Sequence, residues 1–342
     1  MPPSSAPLAA APSARLANPA WLFGLVALLL GLCVISVGIG AGDLSWPALR
    51  DDLLAGRLDS DAWQLLLISR VPRTLALLLA GVSLAVAGMM MQMLVRNRYV
   101  EPSTAGTMES AALGMLTVAL LAPGLPVVGK MLVATAFAMA GTLLFLGILR
   151  RVPLRSPFMV PLVGLVLGGV VEATTTFFAY RYEMLQSLRA WTVGDFSGVL
   201  RGRYELLWIG LGLSCAAMLA ADRYTVVGMG RDFTTNLGLN HRKLLLTGLL
   251  IVSAIAAVVV VTVGSIPFLG LIVPNAVSML LGDNVRRSVP WVALLGGGFV
   301  LACDILGRLV HFPYEIPIGT VVGIVGSALF LTLLLNRRTR AG

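Results

Sequence analysis

The feature that most constrains this chain is a series of continuous apolar runs of about 20 residues, the length a helix needs to cross bilayer hydrocarbon. They fall at roughly 21–41, 72–94, 104–122, 127–149, 157–180, 204–221, 244–263, 267–281, 289–308 and 316–335. A membrane β-barrel would instead show short segments of alternating polarity. Helices are then the only element that satisfies its own backbone in lipid, so the expectation is an all-α polytopic membrane protein with about ten spans. With 58% hydrophobic and 12% charged residues, the chain does not read as a soluble domain. The third and eighth runs are interrupted by Glu109, Pro267 and Pro274, and the eighth is short.

An even number of spans puts both ends on one side, and basic residues choose that side. One set of connecting segments holds Arg15, Arg96, Arg98, Arg150, Arg151, Arg155, Arg223, Arg231, Arg242, Lys243, Arg286, Arg287, Arg337, Arg338 and Arg340. In the opposite set, Asp43, Asp51, Asp52, Asp59 and Asp61 offset the arginines of the first loop. Both termini are therefore expected on the cytoplasmic side of the membrane. The net charge of +9 follows this pattern between spans and is read as membrane topology and not as nucleic-acid binding. Residues 1–20, rich in Ala, Pro and Ser, are expected to form a disordered cytoplasmic tail before a single transmembrane domain over 21–338.

No cluster of nucleophile, base and orienter appears, and His241 and His311 stand alone, so no catalytic role is expected. Cys33, Cys215 and Cys303 lie in apolar runs without metal-ligand spacing, so neither a metal site nor a bound cofactor is expected. Within the spans, Glu109, Glu172 and Asp304 are carboxylates where charge is expensive. Glu172, beside Thr175, points to a substrate pathway or to structural hydrogen bonding; Asp304 lies one turn before Arg308, the spacing of an ion pair. Met89 and Met93 share a helix face and suit packing or a pliable pathway wall. Gly164 with Gly168, and Gly319 with Gly323, are spaced for close helix crossing. Between the sixth and seventh runs, Asp232 to Leu239 is spaced for a short helix with Asp232 as N-cap and Gly238 near its end.

Four stretches together resemble the FecCD-type permease family, which imports siderophore, haem and cobalamin. They are RVPRTLALLLAGVSLAVAGMMMQMLVRNR (Arg70–Arg98), the Leu237-Gly238 loop, GSIPFLGLIVPN (Gly264–Asn275), and Asp304, Arg308, Glu315, Pro317 and Gly319 near the end. The chain departs from the usual pattern at Arg98 and Asn275, where the family often has Pro and His. The stretch RNRYVEPSTAGTMESAALG is similar to the subgroup associated with catecholate and related ferric siderophores.

The resemblance implies the type II ABC importer permease fold and transport of ferric siderophore, with haem or cobalamin as the alternative cargo. It also implies partners: a second permease, cytoplasmic ATPases that use ATP and Mg, and a periplasmic binding protein. By this resemblance Arg70, Arg73 and Arg308 dock the binding protein. Arg231, Asp232, Thr234, Asn236, Leu237 and Gly238 couple to the ATPase. The chain has no G-x-x-x-x-G-K-[ST] phosphate loop, so energy must come from another subunit. A secondary transporter driven by an ion gradient is the alternative from a different class; it would need charged relays and usually an internal repeat.

Overall fold

The computed structural model describes residues 19–40, 46–56, 59–153, 156–282 and 285–338; most of the expected N-terminal tail lies outside these residues. Helices are the regular secondary structure found among the described residues. Six helices are long and apolar enough to cross a membrane: α1 (Pro19–Gly38), α4 (Val71–Val95, continuous with Asp61–Arg70), α6 (Val127–Leu149), α7 (Met159–Arg181), α12 (His241–Val263) and α14 (Val285–Val310). Four shorter apolar helices complete the expected ten: α5 (Thr107–Leu121), α9 (Leu207–Leu219), α13 (Leu269–Leu281) and α15 (Ile318–Arg338). Short connecting helices are α2 (Trp46–Leu54), α3 (Asp61–Leu65), α8 (Leu185–Thr192), α10 (Ala221–Met229) and α11 (Arg231–Asn236).

Helix α4 is the central post, packing on α14, α9, α12, α13 and α10. Its hydrophobic window is 78% buried, against 22% for α7 and 6% for α1, so α1 and α7 lie on the periphery. Lipid offers no hydrophobic drive between helices, so close packing depends on small residues. A Cβ on Gly81 would lie 2.7 Å from the Gly296 carbonyl of α14, and one on Gly88 would overlap the backbone of Gly270 in α13. Of the glycine pairs expected to permit crossings, Gly164 meets the Thr104 carbonyl, Gly168 meets Gly106, and Gly319 meets Gly194 and Ser265. Gly323 has no neighbour within 4 Å of a would-be Cβ.

Helices α5 and α13 start inside the bundle. Residues 96–106 fold back from the end of α4, and residues 264–268 separate α12 from α13. Such irregular backbone at membrane depth must be satisfied by protein. The two breaks meet at Glu101, which is 1% exposed: its Oε1 accepts the Phe268 amide at 2.7 Å and the Ser103 hydroxyl at 2.5 Å. Gln92 donates to the Gly270 carbonyl at 3.1 Å. A third irregular stretch, 193–196, is stitched in by Asp195 N to Val263 O and Gly319 N to Gly194 O, both at 2.9 Å.

These crossings give a graded prediction. Gly88→Val should cost about 3 kcal/mol or more, because neither backbone at the contact has room to move. Gly323→Ala, which meets nothing, should leave thermal melting in detergent unchanged. Equal melting of the two variants would contradict this packing.

Candidate functional site

The arginines expected to dock a partner lie at one end of α4 and α14, but most of their charge turns inward. Arg308 is 3% exposed and donates to the carbonyls of Ser36 (2.9 Å) and Ile39 (2.7 Å) and to the Ser36 hydroxyl (2.7 Å). Arg70, 6% exposed, also reaches the Ile39 carbonyl. Both therefore satisfy carbonyls at the end of α1 that no further turn would pair. Arg73 donates to Asp304 and to Glu315, each at 2.7 Å, and Asp304 pairs in turn with Arg308 at 2.6 Å. The spacing of Asp304 and Arg308 signalled this ion pair, while Arg73 as its third member comes from 231 residues away. Arg70 and Arg308 are thus engaged by the end of α1 and by Asp304, and Arg73 by Asp304 and Glu315. Arg201 and Arg203 are exposed cations at this end; the Arg201 amide bonds Ile68 O at 2.9 Å, which sets them beside the start of α4.

At the opposite end of α12, the segment expected to couple to an ATPase forms α11, over Arg231–Asn236. The N-cap is Gly230, and Asp232 sits inside the first turn without a side-chain cap, contrary to expectation. The helix ends as the sequence suggests: Gly238 is left-handed (φ +74°), with Gly238 N to Thr235 O at 2.9 Å and Leu239 N to Thr234 O at 3.1 Å. That pair of bonds is a Schellman termination, which holds the exit angle of the chain. Thr234 is fully buried and bonds Gly230 O (2.6 Å), Val226 O (3.1 Å) and His241 Nδ1 (3.3 Å), so it ties α11 to α10 and α12 and faces no partner. Arg231, Asp232, Asn236, Leu237 and Gly238 are exposed. Phe233, 51% exposed, shares a face with Leu237, 56% exposed, and its place four residues before Leu237 is the sequence signal for that shared face.

Of the four expected pathway residues, the structure brings Glu172 and Thr175 together and sets Met89 and Met93 elsewhere. Glu172 and Thr175 line a cavity of about 470 Å³ with Glu109, Arg189, Trp191 and Ser265. Thr175 is buried and satisfied by the Val171 carbonyl at 2.7 Å, whereas Glu172 is exposed on α7. Glu109 lies over Gly168, one turn before Glu172, and its Oε2 is shielded without a hydrogen-bond partner among the described residues. Met89 and Met93 line a second cavity of about 430 Å³ with Gln92, Arg96, Pro274 and Asn275. There Asn275 Nδ2 donates to Arg98 O at 2.7 Å, so the two positions that depart from the usual pattern bond each other.

With this geometry in place, comparison with known proteins decides the family: residues 28–336 match the FecCD transport family. The chain belongs to the FecCD transport family. It is 47% identical over 317 residues to the petrobactin import system permease protein YclN of Bacillus subtilis (strain 168), covering 93% of this chain and 98% of that protein. It is 38% identical over 314 residues to the ferric-anguibactin transport system permease protein FatD of Vibrio anguillarum, covering 92% and 98%. Among solved structures it matches a metal-chelate type ABC transporter in an inward-facing conformation, with a TM-score of 0.76 and 26% identity over 93% of this chain and 100% of that one. This FecCD chain is accordingly an ABC transporter permease, a transport subunit.

The arginine–carboxylate knot yields the second prediction. Asp304→Asn leaves Arg73 and Arg308 facing one another with their shared carboxylate gone and should cost roughly 3–5 kcal/mol. Glu315→Gln, at a side chain 26% exposed, should cost well under half of that. Thermal unfolding of the purified protein measures both; a larger loss at Glu315 would refute the arrangement.

Proposed function

We propose that this permease carries a ferric siderophore across the inner membrane and takes its energy from separate ATPase subunits. The observation that carries the mechanism is α11, a short helix locked to α10 and α12 by Thr234 and closed by Gly238. A lever must be stiff to transmit displacement, and this one projects Phe233 and Leu237 from a chain that lacks a phosphate loop. The siderophore reading is supported by relatives whose names specify petrobactin and ferric anguibactin transport.

A second permease, identical or homologous, completes the pathway. Glu172 supports this reading, because a carboxylate on the outer face of a spanning helix does not face lipid; it meets water or a partner. A periplasmic binding protein would then deliver cargo at the end where Arg73, Arg201 and Arg203 lie. Arg70 and Arg308 support that surface from beneath by holding the end of α1. The end with α11 faces the cytoplasm on this reading, as do both termini.

Gly238→Val tests the lever without touching any span. No atom lies within 4 Å of a Cβ there, so the substitution acts only through its left-handed backbone, at a cost of about 1–2 kcal/mol. Membrane insertion and capture of the binding protein should persist, while ATP-driven uptake of radio-iron siderophore falls severalfold. Phe233→Ser with Leu237→Ser should lose the ATPase on purification. Normal uptake in both variants would exclude α11 as the coupling element.

A further inference from the structure

A concavity of about 1080 Å³ opens between the end of α6, the start of α12 and the α11 corner. Its chemistry is layered along the helix axes. At the mouth stand Arg150 from the end of α6, Arg242 from the first turn of α12, and Arg231 from α11, with His241 beside them. All three arginines are exposed. Below Arg150, Gly147 and Leu143 lie one and two turns into the membrane, and no atom comes within 4 Å of a Cβ built on Gly147, so the groove stays open there. Below Arg242, the sequence places Leu246 one turn and Leu249 two turns deep. The concavity is continued on the other side of Arg242 and Leu246 by a smaller one of about 490 Å³, which adds Lys243 to the mouth and Leu250 to the wall. No carboxylate lines either concavity among the described residues.

An arginine at a helix end ordinarily snorkels to the nearest headgroups without forming a site. Here cations from three separate elements converge on one mouth, and the wall beneath them is apolar to a depth of two helical turns on both sides. A soluble anion would match the mouth and leave the leucines unfilled. An acidic protein segment would have to enter the hydrocarbon to fill them. One molecule satisfies both layers: a phospholipid whose phosphate meets the arginines and whose acyl chain lies along the groove.

We infer that this cavity is a binding site for one anionic phospholipid, seated between α6 and α12 and touching the coupling corner through Arg231, Thr235 and Leu239. Because Thr235 and Leu239 flank the Schellman turn, the lipid fills the space behind the lever and steadies its angle. The inference does not depend on which chelate is transported.

The test uses the permease purified with its ATPase subunits, stripped of lipid in detergent and titrated with phosphatidylglycerol or phosphatidylcholine. Bound lipid is counted by native mass spectrometry. The wild type should retain phosphatidylglycerol roughly thirtyfold over phosphatidylcholine. Arg150→Gln with Arg242→Gln should abolish that preference, a loss of roughly thirtyfold for two headgroup cations. Leu246→Trp, which fills the apolar wall and leaves every charge, should also lower retention; it decides the matter if the double variant does not assemble. Arg181→Gln, at the far end of α7 and lining neither concavity, should leave this preference unchanged. Unchanged preference in both cavity variants would overturn the site. So would competition by soluble glycerol phosphate as strong as that by phosphatidylglycerol, which would make it a free-phosphate site. Retention seen only after the ATPase is removed would assign the basic wall to that subunit and overturn it equally.

Discussion

The Glu101 carboxylate, accepting the Phe268 amide where two interrupted spans meet, is the interaction on which the rest of this structure depends. An amide released from a helix at membrane depth has no water to turn to, and leaving it unpaired costs several kcal/mol. Glu101 and Gln92 supply partners from the α4 side, and the absence of side chains at Gly88 and Gly270 lets the backbones come close enough to be reached. The backbone between Ser265, which lines one cavity, and Pro274, which lines the other, contains this crossing. The apolar side chains of Ile266, Leu269 and Val273 on this stretch are buried in the main core.

The functional surfaces lie on either side of this crossing. On one side lies the cavity of Glu109, Glu172 and Thr175, near the end where the Arg73–Asp304–Arg308 knot fixes α1, α4 and α14 to one another. Beyond the other side α10, α11 and α12 form a stiff corner whose buried polar hub is Thr234.

Much of the architecture was legible in the sequence because span length and basic-residue placement are set by the bilayer itself. The ten runs, the pair formed by Asp304 and Arg308, and the left-handed Gly238 were each carried by local spacing. What was not legible depends on residues far apart in the chain. Arg70 and Arg308 read as outward cations because helix-end arginines usually are; only the folded chain brings the carbonyls of Ser36 and Ile39 to them. Glu101 reads as one loop carboxylate among others until Phe268, 167 residues away, is placed against it. Met89 and Met93 were grouped with Glu172 by chemistry, and the fold separates them into different cavities.

The central claim is that the exposed face of α7 borders an aqueous pathway and not lipid. Thr176 lies on that face, lining the cavity with Glu172. With Cys33, Cys215 and Cys303 replaced by Ser, Thr176→Cys in membranes should react with a membrane-impermeant thiol reagent. Its rate should change when the ATPases bind nucleotide. A cysteine there that resists the water-soluble reagent in every state, yet reacts with a lipid-soluble maleimide, would place α7 against the bilayer and contradict the account.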